Sequence, residues 1–319
     1  MTNPTTWVSG LKIRYSFVPT IGTDIEEAAS RLRAGRLSAF ATETVYGLGA
    51  KADDKTAMSQ LYALKKRPLG HPCIIHLSDF SEAEKWAHIP PPARQLAEAF
   101  MPGALTLLLP SRTNGTIALR VPGHKQAREL LSRAGVGIAA PSANCFGGIS
   151  PTLAAHVMSE FPDIEDLYIL DGGQCEFGVE STIAACLDGR LSILRPGAIL
   201  SSDIASAAGM ELSPPPQVAS PGNLRTHYSP KTKLLLTSAE EVLNANKNAA
   251  VLSRHCPQSL PTKHWRQMPE SPQQCARCLY VFLRELDAIQ ASVIIVETPP
   301  DTPEWSAVRD RLTRAAGDG

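Results

Sequence analysis

Basic side chains are concentrated in two stretches of the sequence, and such clusters suit the binding of an anion. The first stretch runs from Lys65 to Pro68 (KKRP), where a predicted helix ends against a proline. Cations in the last turn of a helix also stabilise its dipole without a ligand, so both interpretations stay open. The second stretch, 112–133, contains five basic residues and one acid. This excess favours an anion site, with a solvated helix face as the alternative for Arg128 and Arg133.

One arginine of the second stretch, Arg120, lies inside a predicted apolar strand at 116–121. An unpaired guanidinium would be costly there, because burial removes the water that stabilises its charge. Arg120 is therefore a candidate for a specific contact with an anionic group.

Small polar residues follow a predicted strand at 136–140, in the segment from Pro141 to Asn144 (PSAN). Open α/β sheets bind ligands beyond the carboxyl ends of their strands, so this segment is placed to line a site. Ser150 is predicted to cap a helix that begins at Pro151. Capping is a sufficient reason for that serine, and the same helix end presents free N–H groups to a phosphate.

The elements that position these residues alternate between strands and helices. Predicted strands span 37–41, 73–77, 104–109, 116–121, 136–140, 167–171, 181–186 and 191–195. Predicted helices span 24–36, 55–64, 81–87, 91–100, 124–134 and 152–160. This alternation predicts an α/β fold with a mixed sheet.

The segment 211–230 contains five prolines and no periodic pattern, which indicates an interdomain linker. Beyond it the pattern is that of a small doubly wound domain. Its predicted strands span 232–236, 249–253 and 292–297, and its predicted helices span 238–247, 273–288 and 303–316. We therefore predict an α/β domain at 15–205, a proline-rich linker at 206–230 and a smaller α/β domain at 231–319.

Composition excludes several classes of protein. The 319 residues contain 31 Lys and Arg against 31 Asp and Glu, so no overall charge attracts a nucleic acid or a membrane surface. Hydrophobic residues make up 43% of the chain, which indicates a folded protein. The sequence shows neither an apolar run long enough for a bilayer nor a secretory signal, so we expect a cytoplasmic protein. The seven cysteines are odd in number and scattered, which favours reduced thiols.

A metal site is weighed for the histidines and cysteines near the C-terminus. The candidates are His255, Cys256, His264, Cys275 and Cys278. Their spacing fits no standard zinc pattern, because a second Cys-x-x-Cys or a His pair is missing. No protein side chain is therefore predicted to bind a metal.

Taken together, the order of these segments resembles the YrdC-like family. The matching segments are TETVYGLG (42–49), KKRP (65–68), PGALTL (102–107), RVPGH (120–124), APSAN (140–144), SPT (150–152), DGG (171–173), GVESTI (178–183) and LRPG (194–197). The segment HYSP (227–230), LRELD (283–287) and DRL (310–312) resemble the longer, two-domain form, the threonylcarbamoyl-AMP synthases. Phe146 departs from the pattern, because the resemblance places a small serine there.

The resemblance implies a fold and a reaction. The fold is a twisted mixed sheet with a concave active-site cavity, followed by a smaller Rossmann-like domain. The reaction joins L-threonine, bicarbonate and ATP into L-threonylcarbamoyl-AMP and pyrophosphate, for the threonylcarbamoyladenosine modification of tRNA next to the anticodon. Mg²⁺ is expected with the ATP, and the tRNA-modification machinery is the partner that follows.

The resemblance also implies roles for individual residues. The signature group around the phosphates comprises Lys65, Arg67, Ser142 and Asn144. ATP binding is implied for Arg67, His71, Thr116, Ser142, Ser150, Arg195 and Tyr228. Threonine binding is implied for Thr44, His76, Arg120, Ala140 and Ser181. In this assignment the threonine carboxylate becomes the counterion of Arg120.

Two alternatives remain open. One is an enzyme of the same superfamily that makes carbamoyl-AMP, although such chains carry additional modules. The other is a noncatalytic module that binds double-stranded RNA, which zero net charge disfavours. Within the linker, prolines restrict the chain to extended shapes, and Arg225, His227 and Tyr228 suit nucleotide contact. We therefore predict that the linker closes over the ligand as a lid.

Overall fold

The computed structural model describes residues 7–8, 11–12, 19–222, 227–254, 262 and 264–317. Its strands are β1 (Trp7–Val8), β2 (Leu11–Lys12), β3 (Thr20–Gly22), β4 (Ser38–Phe40), β5 (Gly47–Lys51), β6 (Ile74–His76), β7 (Leu105–Pro110), β8 (Thr116–Arg120), β9 (Ile138–Ala139), β10 (Tyr168–Leu170), β11 (Thr182–Leu187), β12 (Arg190–Arg195), β13 (Leu234–Thr237), β14 (Ala249–Ser253), β15 (His264–Gln267) and β16 (Val293–Glu297). Its helices are α1 (Ile25–Arg33), α2 (Lys55–Lys65), α3 (Pro91–Phe100), α4 (Lys125–Ala134), α5 (Ala154–Glu160), α6 (Ser201–Ala208), α7 (Ala239–Val242), α8 (Pro272–Ala288) and α9 (Ser306–Ala316), with short 3₁₀ helices at Phe80–Lys85 and Pro303–Trp305.

The first domain is built on one large mixed sheet. Its strand order is β12-β11-β7-β8-β6-β9-β5-β4-β10-β3. The pairs β7–β11, β6–β8, β4–β10 and β3–β10 are parallel, and the remaining neighbours are antiparallel. The predicted mixed α/β sheet is confirmed.

The two faces of this sheet are covered differently around β7. Leu105 and Leu107 point to one face and pack against α3 and α6. Leu108 points to the other face beside Ala118 of β8, where Val218 of the linker packs. Alternate residues of a strand lie on opposite faces, so the helices bury one row of side chains while the linker approaches the other. This second face carries a cavity.

The C-terminal domain is a parallel sheet between helices. Its strand order is β13-β16-β14-β15, and all its pairs are parallel. Ala250 and Leu252 of β14 face α8 and α9, whereas Ala249 and Val251 face α7. Helices on both faces of a parallel sheet confirm the predicted doubly wound, Rossmann-like domain.

The two domains share one apolar cluster. Val45, Ile149 and Val179 of the first domain are buried together with Leu279 and Tyr280 of α8. This contact fixes the C-terminal domain against the face of the first domain that carries the cavity. Among the described residues no helix combines the length and apolarity needed to cross a membrane.

Several elements differ from the sequence-based predictions. β5 was not predicted, and Gly49 allows close packing in this strand, since a Cβ there would lie 3.0 Å from the Phe40 ring. The polar edge strand β15 and the three-residue β3 were not predicted, and α7 is shorter than the predicted helix 238–247. The predicted boundary between 205 and 206 falls inside α6, whose alanines and serines conceal its periodicity.

Candidate active site

The cavity lies between the open face of the large sheet and the linker. Its wall is formed by Thr42, Thr44, Val45, Gly47, Arg67, Cys73, Ile74, His76, Arg120, Ala140, Pro141, Ser142, Glu180, Ser181, Arg195, Pro221, Gly222, His227 and Tyr228. We call residues 211–230 the strap, of which 211–222 and 227–230 are described. Because the strap forms part of the wall, the cavity is narrow, with a volume of about 50 Å³.

Lys65 is the last residue of α2 and lies in the interior. The helix ends there because Lys66 adopts a left-handed conformation with φ of 52°. The Lys65 ammonium donates to the carbonyl of Ser142 at 2.5 Å and to the carbonyl of Asn144. Its side chain is 1% exposed, and both bonds go to the loop after β9. Burial, reinforced by the charge of Arg67, lowers the pKa of Lys65 to about 7.

Arg67 reaches the cavity wall from the loop after α2. Its Nη2 donates to the carbonyl of Pro72 and lies against His71 Nδ1, both at 2.8 Å. Its guanidinium carbon lies 5.4 Å above the ring of Phe146, which thus occupies the predicted serine position as a stacking surface. Burial and the charge of Arg67 lower the pKa of His71, so this histidine is neutral at pH 7.

The segment after β9 is fixed by its own hydrogen bonds. Ser142 forms an isolated antiparallel β-bridge with Gly47 and lines the cavity. The Asn144 amide nitrogen donates to the carbonyls of Cys145 and Gly148, at 2.7 and 2.9 Å. These bonds and the two bonds from the Lys65 ammonium fix the loop beside the cavity.

Arg120 and its neighbours form the opposite part of the wall. Arg120 donates to the Thr44 hydroxyl at 2.8 Å, to Glu43 Oε1 at 2.6 Å and to the carbonyl of Gly103 at 3.2 Å. The resemblance implied that the threonine carboxylate is the counterion of Arg120. This expectation needs correction, because the carboxylate of Glu43 already pairs with Arg120. These bonds use three of the five guanidinium N–H groups, and two remain for a ligand.

The other residues predicted to bind threonine lie in the same region. His76 is buried, and burial together with the charge of Arg120 lowers its pKa to about 3, so its imidazole is neutral. Ala140 lines the cavity between β9 and Ser142. The Ser181 hydroxyl lies 2.7 Å from that of Thr106 and accepts a bond from Arg195 at 3.2 Å.

Arg195 and Tyr228 close the cavity on the side of the strap. Arg195 donates to the carbonyls of Ser181 and Pro221, at 3.1 and 3.3 Å. Tyr228 is 1% exposed, and its ring is stacked on that of Tyr280 at 5.9 Å. Its conformation has a φ of 62°, which is uncommon outside glycine.

Three residues predicted to bind ATP do not line the cavity, namely His71, Thr116 and Ser150. Thr116 begins β8 and pairs with Pro110, four residues along the strand from Arg120. Ser150 does not cap a helix, because α5 begins at Ala154, and its hydroxyl instead donates to Glu180 Oε1 at 2.5 Å. The predicted helix N-terminus at Pro151 is therefore wrong.

Sequence reasoning missed the two acidic residues of the site. Glu43 and Glu180 occur inside matched segments, but neither spacing nor periodicity indicates that they meet arginines far away in the chain. No group of three or more potential metal ligands lies together among the described residues. His255 and Cys256 of the weighed metal site, and Arg225 of the strap, lie outside the described residues.

Comparison with known proteins decides the family. A family model described as "Telomere recombination", which covers the Sua5, YciO and YrdC proteins, matches residues 30–197, and one described as "Threonylcarbamoyl-AMP synthase, C-terminal domain" matches 183–317. The chain belongs to the threonylcarbamoyl-AMP synthase family. This confirms the resemblance to the two-domain form of YrdC-like enzymes.

Relatives of this family match almost the whole chain. The threonylcarbamoyl-AMP synthase of Bacillus subtilis is 35% identical, with 92% of this chain and 93% of the relative covered. That of Pyrococcus abyssi is 34% identical over 92% of this chain and 94% of the relative. A solved structure of Pyrococcus abyssi Sua5 in complex with L-threonine has a TM-score of 0.85 and 31% identity, covering 94% and 97% of the two chains. The two-domain architecture of the threonylcarbamoyl-AMP synthase family is thus present here.

Proposed function

We propose that this member of the family makes L-threonylcarbamoyl-AMP and pyrophosphate from L-threonine, bicarbonate and ATP, for the threonylcarbamoyladenosine modification of tRNA. The observation that carries the proposal is a set of buried basic side chains: Arg67 and Arg195 in the cavity wall, and Lys65 bonded to the carbonyl of the cavity-lining Ser142. Among the described residues, none of the three has a carboxylate within 4.0 Å. Buried charges without counterions are costly, so an anionic ligand such as a triphosphate is their natural partner.

The opposite wall supports an amino-acid site. Arg120 keeps two N–H groups free, and Thr44 and Ser181 place hydroxyl groups near it. A guanidinium fork matches a carboxylate, and neutral His76 adds no competing charge. The Pyrococcus abyssi relative binds L-threonine, which supports the same ligand here.

The chemistry requires positioning rather than a protein nucleophile. The threonine nitrogen bonds to the carbon of bicarbonate, a C–O bond of bicarbonate breaks, and water leaves with an amine proton, which gives an N-carboxylate. An oxygen of this N-carboxylate then bonds to the α-phosphorus of ATP while the bond from that phosphorus to the oxygen shared with the β-phosphate breaks. Pyrophosphate leaves with the electron pair. Lys65, Arg67 and Arg195 would neutralise the phosphate oxygens as negative charge shifts to the leaving group.

Mg²⁺ would enter with the ATP. Glu180 is the carboxylate that lines the cavity within the described chain, and both its oxygens already accept hydrogen bonds. The cavity wall thus offers cations and hydroxyls rather than a pair of free carboxylates. This fits an ion held by the triphosphate oxygens, with no ligand from the protein.

The strap supports the idea of a lid. Pockets for ligands of nucleotide size usually measure ~300–1,000 Å³, and the present cavity measures about 50 Å³. ATP therefore requires Pro221, Gly222, His227 and Tyr228 to withdraw before it binds. Closure afterwards would exclude water from an acyl phosphate that water hydrolyses.

A pyrophosphate-release assay tests the proposed function. Threonine, bicarbonate and ATP are omitted one at a time, and release is expected only when all three are present. Equal release without threonine would overturn the assignment. Release supported by carbamoyl phosphate instead would indicate carbamoyl-AMP synthesis, and salt-sensitive duplex RNA binding without turnover would indicate an RNA-binding module.

A further inference from the structure

Arg311 of α9 belongs to the C-terminal domain, but its side chain lies behind the cavity of the first domain. It is fully buried. Its Nε donates to Glu180 Oε2 at 2.7 Å, and its terminal nitrogens donate to the carbonyls of Pro196 and Glu180, at 2.9 and 3.3 Å. Asp310 adds a second carboxylate at 2.6 Å from Nη1. One guanidinium therefore connects the second domain to two segments of the first.

Glu180 is held from three directions. Besides Arg311, the hydroxyls of Ser150 and Tyr280 donate to its two oxygens, at 2.5 and 2.9 Å. Burial alone would raise the pKa of the Glu180 carboxyl, but the charges of Arg311 and Arg195 and the bond from Ser150 lower it to about 2. This cavity-lining carboxylate is consequently ionised.

Arg195 lies on the other side of the same carboxylate. Its hydrogen bonds all go to neutral oxygens of Ser181 and Pro221. Ser181 directly follows Glu180, and both Glu180 and Arg195 line the cavity, so the two side chains lie in the same part of the wall. One buried carboxylate thus has two buried arginines beside it and pairs with Arg311.

We infer that Arg311 is a positioning residue that holds Glu180 away from Arg195 and so leaves the Arg195 charge available to an anionic ligand. Without Arg311, an ionised carboxylate in a dry environment would pair with the nearest remaining cation. Arg195 would then be neutralised by the protein itself. The anion is the ATP triphosphate, and to that extent the inference rests on the proposed function.

Arg311 also contacts the strap. Its guanidinium carbon lies 5.2 Å from the centre of the Tyr228 ring, which is also stacked on Tyr280. A cation against an aromatic face is attractive, so Arg311 also supports the closed end of the strap. The C-terminal domain therefore shapes the nucleotide side of the site by supplying one charge.

Isothermal titration of the full-length protein with Mg-ATP and, separately, with threonine tests this inference. Arg311→Met should weaken ATP binding by about tenfold or more while threonine binding changes by less than about threefold, because only Arg195 is neutralised. The matched control is Arg309→Met on the same helix, whose partners Pro299 and Asp301 lie outside the cavity wall. The control should bind ATP as the wild type does.

The decisive variant removes both charges. Glu180→Gln combined with Arg311→Met should restore ATP binding to within about threefold of wild type, because no carboxylate remains to pair with Arg195. A merely structural role predicts that the double variant is as weak as the single one, and that result would overturn the inference. Unchanged ATP binding by folded Arg311→Met would overturn it too.

Folding and the proposed function are controlled separately. If Arg311→Met does not fold, Arg311→Lys replaces it, since lysine keeps the charge but not the fork. Its weaker ATP binding should again be reversed by Glu180→Gln, and a failure of that reversal would refute the inference. Absence of ATP binding by the wild-type protein would instead overturn the proposed function.

Discussion

Arg120 and Glu43 form an ion pair inside the protein, with Nη2 and Oε1 2.6 Å apart and side chains that are 4% and 5% exposed. Burial alone would raise the pKa of Glu43, but the adjacent Arg120 charge and the backbone N–H bonds lower it. The pair is thus charged in the free protein. Arg120 is consequently part of the fold as well as of the proposed threonine site.

Replacement of Arg120 by alanine should separate these two roles. We expect the Michaelis constant for threonine to rise far more than that for ATP, because the carboxylate loses its bidentate partner. Glu43 would also be left buried without a counterion, which should lower the free energy of unfolding by about 3–5 kcal/mol. Steady-state kinetics and urea denaturation measure the two effects.

The control for this experiment is Glu43→Gln combined with Arg120→Met. It removes both charges, so stability should largely return while threonine binding does not. If Arg120→Ala changed only the Michaelis constant for ATP, Arg120 would belong to the ATP site and the assignment of the two ligands to the cavity walls would have to be reversed.

Arg67 is expected to act on the phosphates during turnover. Arg67→Ala should lower kcat by about 10²-fold, the usual effect of losing one preorganised charge. Far-UV circular dichroism should stay unchanged. The control is Lys66→Asn. Lys66 is exposed, and asparagine adopts the left-handed conformation of this position more readily than most residues. Near-normal turnover by Arg67→Ala would show that the residue merely ends a helix.

Lys65 should couple ATP binding to proton uptake. Its native pKa of about 7 lies below its usual value, so above pH 7 the unfolded chain binds a proton that the native protein lacks. The contribution of Lys65 to the free energy of unfolding therefore increases as pH rises from about 7 toward the pKa of lysine in the unfolded chain. The ionisable groups around it are Arg67, Cys73, Cys145 and Glu160. A bound triphosphate favours the ammonium form and should draw a proton from solution.

Calorimetry at about pH 8 in two buffers with different ionisation enthalpies measures this uptake. We expect close to one proton per ATP, and none in Lys65→Met. The neutral histidines His71 and His227 titrate at lower pH and should not contribute. Equal uptake by wild type and Lys65→Met would assign the proton to another group.

The strap should be protected by its ligands. Limited proteolysis after Arg225 and Tyr228 should slow when ATP and threonine are present, because bound ligands hold the strap closed and reduce the time that it spends withdrawn from the cavity. Tyr228→Ala should weaken ATP binding without unfolding either domain. Identical cleavage rates with and without ligands, together with unchanged kinetics of Tyr228→Ala, would make the strap a passive connector.

Much of the first domain could be predicted from local patterns. The helix that carries Lys65 and the strand that carries Arg120 follow from periodicity and apolar runs, and both occur close to the predicted bounds. The polar segment after 136–140 was expected at the end of a strand, and Ser142 does line the cavity. These features depend on a few neighbouring residues, which a sequence displays directly.

The ion pairs could not be predicted in the same way. Glu43 meets Arg120 across 77 residues, and Glu180 meets Arg311 across 131 residues. No local propensity encodes such a pairing, because it depends on how strands and domains pack. The burial of Lys65 was missed for the same reason, since its acceptors lie in the loop that contains Ser142 and Asn144.

The 131 residues that separate Glu180 from Arg311 also matter while the chain is being made. At 5–20 residues per second, ribosomes need on the order of ten seconds to add such a length. Throughout that interval the nascent first domain has neither the guanidinium that neutralises Glu180 nor the apolar helix faces that cover Val45, Ile149 and Val179. The domain made first therefore completes its packing only after α9 has left the ribosome, and until then its buried carboxylate and these apolar residues lack their partners.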